Sequence, residues 1–225
     1  MTQFWLRAAI AAAAAYFLGC FNGAVIISKY ILHDDVRAHG SGNAGLTNFL
    51  RTFGGPLTAV VLLLDVVKTV LAVLLSMALL RACLAPAFAR EDLMILARYW
   101  AGVFVLLGHS FPCMFHFRGG KGVLAGGTVA LMVDWRVAAV VWGGFLILTV
   151  LTRYVSLGSC FAGAAFPVVS YLVYGSVPIL LTSAVMGLTL LWGHRGNVKR
   201  LIEGTERKLS FHKKKHDDTQ GEEKP

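Results

Sequence analysis

The stretch Gly122–Trp135, GVLAGGTVALMVDW, decides the fold of this chain. It is rich in glycine and short of the roughly 20 residues with which a helix covers about 30 Å of hydrocarbon. On either side the reading is easier. Five stretches approach or meet that length, Phe4–Leu32, Leu57–Leu80, Leu93–Phe111, Val137–Leu151 and Leu157–Tyr174, and a sixth runs Ile179–Trp192. A soluble domain of this size carries about a quarter charged residues; here 15% are charged and 56% are hydrophobic, gathered into runs. The fold class is therefore all-α, a polytopic membrane helix bundle. Whether Gly122–Trp135 crosses sets the parity of the spans, and with it which loops share a face.

Charge supplies the orientation. From Lys199 onward the chain holds Lys199, Arg200, Arg207, Lys208 and the run Lys213-Lys214-Lys215. Such an excess of Lys and Arg stays in the cytoplasm, which places the C-terminus there. Working backwards, Gly175–Pro178 falls outside, Arg153 inside and Asp134/Arg136 outside. If Gly122–Trp135 crosses, Pro112–Lys121 is inside, Arg81–Asp92 outside, His33–Phe53 inside and the N-terminus outside. The expectation is about seven transmembrane helices. On that count every glycine-rich polar segment faces the cytoplasm; without the short span they divide between two faces, and one active site needs one face.

The same distribution accounts for the net charge of +9 without nucleic acid, because the excess lies in loops and a tail between spans. Cys20, Cys83, Cys113 and Cys160 are scattered, with no CxxC pair and no histidine spacing suited to zinc. Leu18-Gly19-Cys20 faintly resembles a lipoprotein signal, but apolar character continues to Leu32, so the segment reads as a retained first span. Residues 1–209 are expected to form the membrane-embedded domain and 210–225 a charged, disordered tail. In that tail, His212…Asp217 fits an H-x4-D acyltransferase pattern, but no apolar platform surrounds it and the match reads as chance.

Three polar constellations carry the chemistry. The first runs from Asp35 to Arg51. Glycines at 40, 42 and 45 permit close backbone approach, and Ser41, Asn43, Thr47 and Asn48 offer short hydrogen-bonding side chains. Thr47 and Arg51 share a face of any helix that begins near residue 45. Free N–H groups at such a start, with an arginine one turn on, suit a phosphate; the plainer alternative is a loop whose Ser and Asn cap helices. The second joins Gly108-His109-Ser110-Phe111-Pro112 to Phe117-Arg118-Gly119-Gly120-Lys121-Gly122. A lysine in a glycine loop opening a helix is a phosphate-binding arrangement. It is not a Walker A loop, since Gly122 stands where a magnesium-holding Ser or Thr would. His109 taken alone reads as a satisfied structural histidine. The third, from Gly193 to Glu206, sets His194 and Asn197 three apart at the end of the last span, on one face if the helix continues. Two smaller features join them. Asp65 and Lys68 sit mid-span at i, i+3, where an ion pair holding the bundle is expected over a proton path. Ser156 and Ser159 lie just beyond Arg153, as helix caps or ligand donors.

Together these segments resemble the bacterial acyl-phosphate:glycerol-3-phosphate acyltransferases, over roughly Leu18 to Leu209. GSGNAGLTNFLR, GHSFP…FRGGKGV and GHRGNVKRLIEGTE occur in the family's order and approximate spacing. The resemblance implies a seven-helix protein of the bacterial cytoplasmic (inner) membrane with its site facing the cytoplasm. It implies transfer of a fatty acyl group from acyl phosphate to the 1-hydroxyl of glycerol 3-phosphate, with no cofactor, no metal and no obligate protein partner. It points to Ser41, Arg51, Lys121, His194 and Asn197 as catalytic residues. Gly42, Asn43, Thr47, Asn48, Gly119, Gly120, Gly122 and Ser159 would bind substrate, the glycines of the second motif bringing N–H groups to acyl phosphate.

The chain departs from the family pattern at Leu46, where alanine is common, at Leu124-Ala125 for a frequent Ala-Thr, and at Cys20 and Asn22 for the usual Ser and Pro. The alternative class is a membrane transporter of an organic phosphate. It requires access from both faces, whereas the motif polar groups gather on one.

Overall fold

The computed structural model describes residues 2–82 and 91–209. Cys83, most of the connection between Arg81 and Asp92, and the tail 210–225 lie outside the described residues, as does the H-x4-D match. Every regular element is helical. Five helices, or helical runs, are long and apolar enough to cross a membrane, and a sixth candidate is a bent pair.

The first run opens as α1 (Thr2–Cys20), breaks at Phe21–Asn22, and resumes as α2 (Gly23–Ile26) followed by a π turn over Ile27–Ile31. Asn22 makes the break. Its Oδ1 accepts from the Val25 N–H at 3.1 Å, capping α2, and its Nδ2 donates to the Ala44 carbonyl at 2.9 Å. The residue that departs from the family pattern thus ties the first span to the first glycine-rich loop. After a short 3-10 turn (Val36–Ala38) comes α3 (Leu46–Thr52), then two long helices, α4 (Leu57–Arg81) and α5 (Glu91–Ser110). Helices α1, α4 and α5 pack against one another. Between α1 and α5 the contact is backbone to backbone: a Cβ on Gly19 would strike the Val105 carbonyl and one on Gly108 the Tyr16 carbonyl. Small residues that let helices close in this way are the usual adhesive where lipid removes any hydrophobic drive.

The stretch that decides the fold is a helix, α6 (Val123–Val133), only 11 residues long. Asp134 alone separates it from α7 (Trp135–Thr152) and caps that helix by accepting the Arg136 N–H at 2.7 Å. Helices α8 (Val155–Tyr174) and α9 (Val177–Gly193) follow, each packed on its predecessor, while α6 fills the space among α4, α5 and α7. Buried Tyr99, Leu106, Val129, Phe166 and Met186 form the core of this body. Leu63, Leu74, Ile147, Val150, Leu172 and Leu188 point outward, as lipid-facing side chains do.

At His194 the chain turns by 55° into α10 (Arg195–Ile202). The last span therefore does not continue straight through the third motif. His194 ends α9, and Asn197 lies in the first turn of a new helix set at an angle to it. Glycines at 193 and 196 flank the bend, and α10 is too polar to prolong a span.

Candidate active site

One end of the bundle gathers the loops around a cavity of about 550 Å³. A second apolar cluster of Val25, Val36, Ala44, Phe49, Val61 and Phe115 lies under the first two loops and seats them on α2 and α4. Within the first loop the carboxamide of Asn48 organises the backbone. Its Oδ1 accepts the Ser41 N–H at 3.0 Å, and its Nδ2 donates to the carbonyls of Val36, His39 and Asn43 at 2.9–3.0 Å. Asn48 is buried and fully engaged by its own loop. Ser41, Thr47 and Arg51 line the cavity without a side-chain hydrogen bond among the described residues. Thr47 and Arg51 lie on α3, which begins at Leu46 as the phosphate reading required.

The second loop is stapled to the first by Arg37. Its carboxylate partner Asp35 holds the guanidinium at 2.7 Å, and Nη1 donates to the carbonyls of Phe115 and Arg118 at 3.1 and 3.3 Å. Hydrogen bonding from Arg37 holds the Asp35 carboxyl below the usual range. The chain then reverses through two consecutive left-handed residues, His116 and Phe117, each costing about 1–2 kcal/mol. The reversal is held by Phe117 N–H to the Pro112 carbonyl, Gly119 N–H to that of Ser110 and Gly120 N–H to that of His109. This differs from the expected use of these glycines. The N–H groups of Gly119 and Gly120 are taken by their own chain, and the two residues serve by close packing: a Cβ on Gly119 would strike the His109 carbonyl. Among the described residues, the amides of 121–125, at the head of α6 where Gly122 adopts φ +77°, are the ones left without a carbonyl. Free N–H groups and the positive end of a helix dipole meet there.

Lys121 joins the second loop to the third by donating to Asn197 Oδ1. From Asn197 the polar chain continues: its Nδ2 donates to Glu206 Oε1 at 2.7 Å, Ser156 donates to the same oxygen at 2.9 Å, and Arg200 Nε donates to Glu206 Oε2 at 2.7 Å. Burial pushes the Lys121 ammonium down to about 8, against the pull of Glu206. Burial alone would raise the Glu206 carboxyl, but the hydrogen bonds from Asn197, Arg200 and Ser156 outweigh it and hold the group below its ordinary value. His194 is buried, with Nδ1 on the Leu190 carbonyl at 2.9 Å. A carbonyl only accepts, so a neutral ring carries its proton on Nδ1 and offers a bare Nε2. Ser159 lines the cavity, its hydroxyl donating to the Val155 carbonyl at 2.8 Å.

The cavity thus collects Ser41, Asn43, Thr47, Asn48, Arg51, Lys121, Gly122, Ser159, His194 and Asn197. Gly42, Gly119 and Gly120 instead line an adjoining cavity of about 910 Å³ that shares Asn43 and Lys121. Sequence reasoning used Arg200 and Arg207 for orientation only and assigned no role in the site to them or to Glu206. Arg200 reaches the site from α10 itself, and Glu206 and Arg207 because residues after α10 fold back, with the Leu209 N–H on the Arg153 carbonyl at 2.7 Å. On its other side the cavity is apolar, through Leu62, Val123, Leu124, Trp142 and Phe145. Val123, Trp142 and Phe145 also open a narrow apolar cleft among α6, α7, α8 and α9. Among the described residues no cluster of three His, Cys, Asp or Glu side chains could hold a metal.

Cations and open amides at one edge of a single chamber, with an apolar wall opposite, mark a multi-pass membrane protein whose site combines anion-binding and apolar surfaces. The family model described as glycerol-3-phosphate acyltransferase matches residues 9–204. A glycerol-3-phosphate acyltransferase of Thermoanaerobacter sp. is 37% identical over 204 residues, covering 91% of this chain and 96% of that protein. One from Clostridioides difficile is 37% identical over 200 residues, covering 89% and 94%. The crystal structure of PlsY (YgiH), an integral membrane glycerol 3-phosphate acyltransferase, in its glycerol 3-phosphate form has a TM-score of 0.78 at 29% identity, covering 90% of this chain and 96% of that one. Its lysophosphatidic acid form has a TM-score of 0.75 at 28% identity, with 90% and 95% covered. The chain belongs to the glycerol-3-phosphate acyltransferase family, and is a membrane acyltransferase.

Proposed function

We propose that this chain transfers a fatty acyl group from acyl phosphate to the 1-hydroxyl of glycerol 3-phosphate. The products are 1-acyl-glycerol 3-phosphate (lysophosphatidic acid) and inorganic phosphate, and the reaction is the first acylation of phospholipid synthesis. The observation that carries the reading is the convergence of the three glycine-rich segments on one cavity with separate cationic groups, Lys121 at the head of α6 and Arg51, Arg200 and Arg207 around it. Two anionic substrates need two such holds. The glycerol 3-phosphate and lysophosphatidic acid forms of the solved relative support the acceptor and the product.

Lys121 and the free amides of residues 121–125 hold the phosphoryl group of the donor, whose tail follows Trp142 and Phe145. Arg51, with Ser41 and Thr47, holds the acceptor phosphate. Nε2 of His194 accepts a hydrogen bond from the acceptor's 2-hydroxyl and so orients the 1-hydroxyl, and Asn197 keeps Lys121 in place. The hydroxyl oxygen attacks the acyl carbonyl carbon, the bond from that carbon to the phosphate oxygen breaks, and the departing phosphate takes the hydroxyl proton. Acyl phosphate is already activated, so proximity and stabilisation of the developing oxyanion by fixed donors supply the catalysis. No cofactor, metal or protein partner enters.

The proposed setting is a bacterial cytoplasmic membrane with the site facing the cytoplasm. Seven crossings are formed by the α1–α2 run, α4, α5, α6, α7, α8 and α9, with the N-terminus outside and the C-terminus in the cytoplasm. The common placement of the three motifs at one end of the bundle supports this count. Reconstituted protein should release phosphate only when acyl phosphate and glycerol 3-phosphate are both present, and should fail with acyl-CoA. Comparable turnover with acyl-CoA alone would reject the donor, and phosphate release independent of glycerol 3-phosphate would reject the acceptor.

A further inference from the structure

Asp65 and Lys68 are paired in α4 at 2.7 Å, with side chains 2% and 5% exposed. Lys68 does more than neutralise Asp65. Its Nζ carries three protons and has three partners: Asp65 Oδ1, the Phe21 carbonyl at 2.9 Å and His109 Nδ1 at 3.0 Å. An ammonium only donates. Nδ1 of His109 is therefore an acceptor, and the ring holds its proton on Nε2. That nitrogen has no hydrogen-bond partner among the described residues. The His109 ring is 3% exposed, lines the same cavity as Lys121 and Gly122, and sets Nε2 against Gly120 where an added Cβ would collide with it. A fixed N–H donor at the edge of a site, with no protein acceptor of its own, is free to donate to an acceptor that a ligand brings.

We propose that His109 is a further substrate-contacting residue, its Nε2–H donating to an anionic oxygen of the acyl phosphate, and that Lys68 is a positioning residue that keeps the proton on that nitrogen. The inference rests on the donor assigned above. It gives the buried Asp65–Lys68 pair a task beyond holding helices together. Asp65 keeps Lys68 charged, Lys68 occupies Nδ1, and His109 faces the cavity as a neutral donor beside the Lys121 cation. Donors aimed where charge develops need no reorganisation as the reaction proceeds.

Isotopically labelled histidine in nanodisc-embedded protein reads the tautomer directly, with the His109 signals assigned by their loss in His109→Gln. Wild-type His109 should be protonated on Nε2 and bare on Nδ1, and its Nε2–H resonance should move downfield on saturation with a non-hydrolysable acyl phosphonate. A ring protonated on Nδ1, or a resonance the phosphonate leaves unmoved, overturns the inference. The double variant Asp65→Asn/Lys68→Met removes both charges together and should let the proton distribute over both ring nitrogens; retention on Nε2 alone overturns the role of Lys68. Kinetics give a separate check. His109→Gln places a carboxamide NH2 near the Nε2 position and should stay within about ten-fold of wild-type kcat/KM for acyl phosphate. His109→Asn places it near Nδ1 and should lose on the order of 100-fold. Equal losses in folded protein would mark a purely structural histidine. Wild-type protein that does not turn over acyl phosphate would sink the donor assignment itself. Turnover by wild-type protein with an unmoved His109 signal sinks the present inference alone.

Discussion

Arg51 stands at the cavity with no carboxylate or carbonyl partner among the described residues, so its exposed guanidinium is open to an anion. Its planar fork grips a phosphate through two parallel hydrogen bonds that an ammonium cannot reproduce. Arg51→Lys keeps the charge and should lose about 1.5–3 kcal/mol of that bonding, a fall of ten- to a few hundred-fold in kcat/KM, seen mainly when glycerol 3-phosphate is varied. Near-normal kinetics in inserted protein would remove Arg51 from the site. Lys121 makes a different prediction, on pH. Its ammonium is pushed down to about 8 from an ordinary 10.5, so in the empty enzyme the charge fades above pH 8 and KM for acyl phosphate should rise there. Stability moves the other way: between about 8 and 10.5 the unfolded chain binds more protons than the folded one, so folding is favoured as pH rises through that window. A pH series of KM and thermal midpoint checks both, and in Lys121→Met both trends should vanish. Residues of this kind were legible in the sequence because Ser41, Thr47, Arg51, Lys121, His194 and Asn197 sit in glycine-rich loops between apolar runs. Glu206 was not, since the linear pattern holds no sign that the chain after Gly204 returns to the 153–155 turn. The second nitrogen of His109 was equally hidden, because only three-dimensional contact with Lys68 fixes its proton.

Among the elements, the first loop shows a division of labour that its composition conceals. Its polar residues read alike in sequence, yet Asn48 holds the loop's shape while Ser41, Thr47 and Arg51 face the cavity. Asn48→Asp tests this with almost no change in volume. The NH2 that donates to three carbonyls becomes an oxygen that repels them, so the loop should lose about 2–4 kcal/mol. Activity should then fall at least 100-fold, with both substrates affected, and the region near residues 36–48 should become an early site of limited proteolysis. A protein that keeps its loop and its turnover would show that Asn48 does not organise the segment. The long helices were legible from apolar runs alone, to within a few residues at their ends. The break between α9 and α10 was not, because spacing three apart suits one continuous helix as well as a bend, and the angle comes from where the last span meets polar surroundings. The free amides at residues 121–125 were masked in the same way. A glycine loop before a helix signals anion binding, but which of its N–H groups are already spent depends on the reversal at His116 and Phe117.

At the level of the whole molecule, parity is the quantity to measure. In a background lacking Cys20, Cys83, Cys113 and Cys160, single cysteines at Asn43, Arg118, Tyr154 and Thr205 should be labelled from the cytoplasm. Those at Thr2 and Ser176 should be labelled from outside. Labelling of positions 43 and 118 from opposite faces would break the single-site arrangement, and with it the seven crossings. The short helix α6 then has a consequence of its own. Eleven residues rise about 16 Å, roughly half of the hydrocarbon that the proposed crossing has to traverse. If α6 crosses as proposed, the chamber at its head is sunk within the leaflet and does not stand above it. A donor dissolved in the membrane can present its carbonyl at that depth while its tail stays among other tails, and only the small water-soluble acceptor has to descend. On the proposed reaction, turnover should follow the mole fraction of donor in the bilayer and not its bulk concentration, and the lysolipid product is formed already within the film.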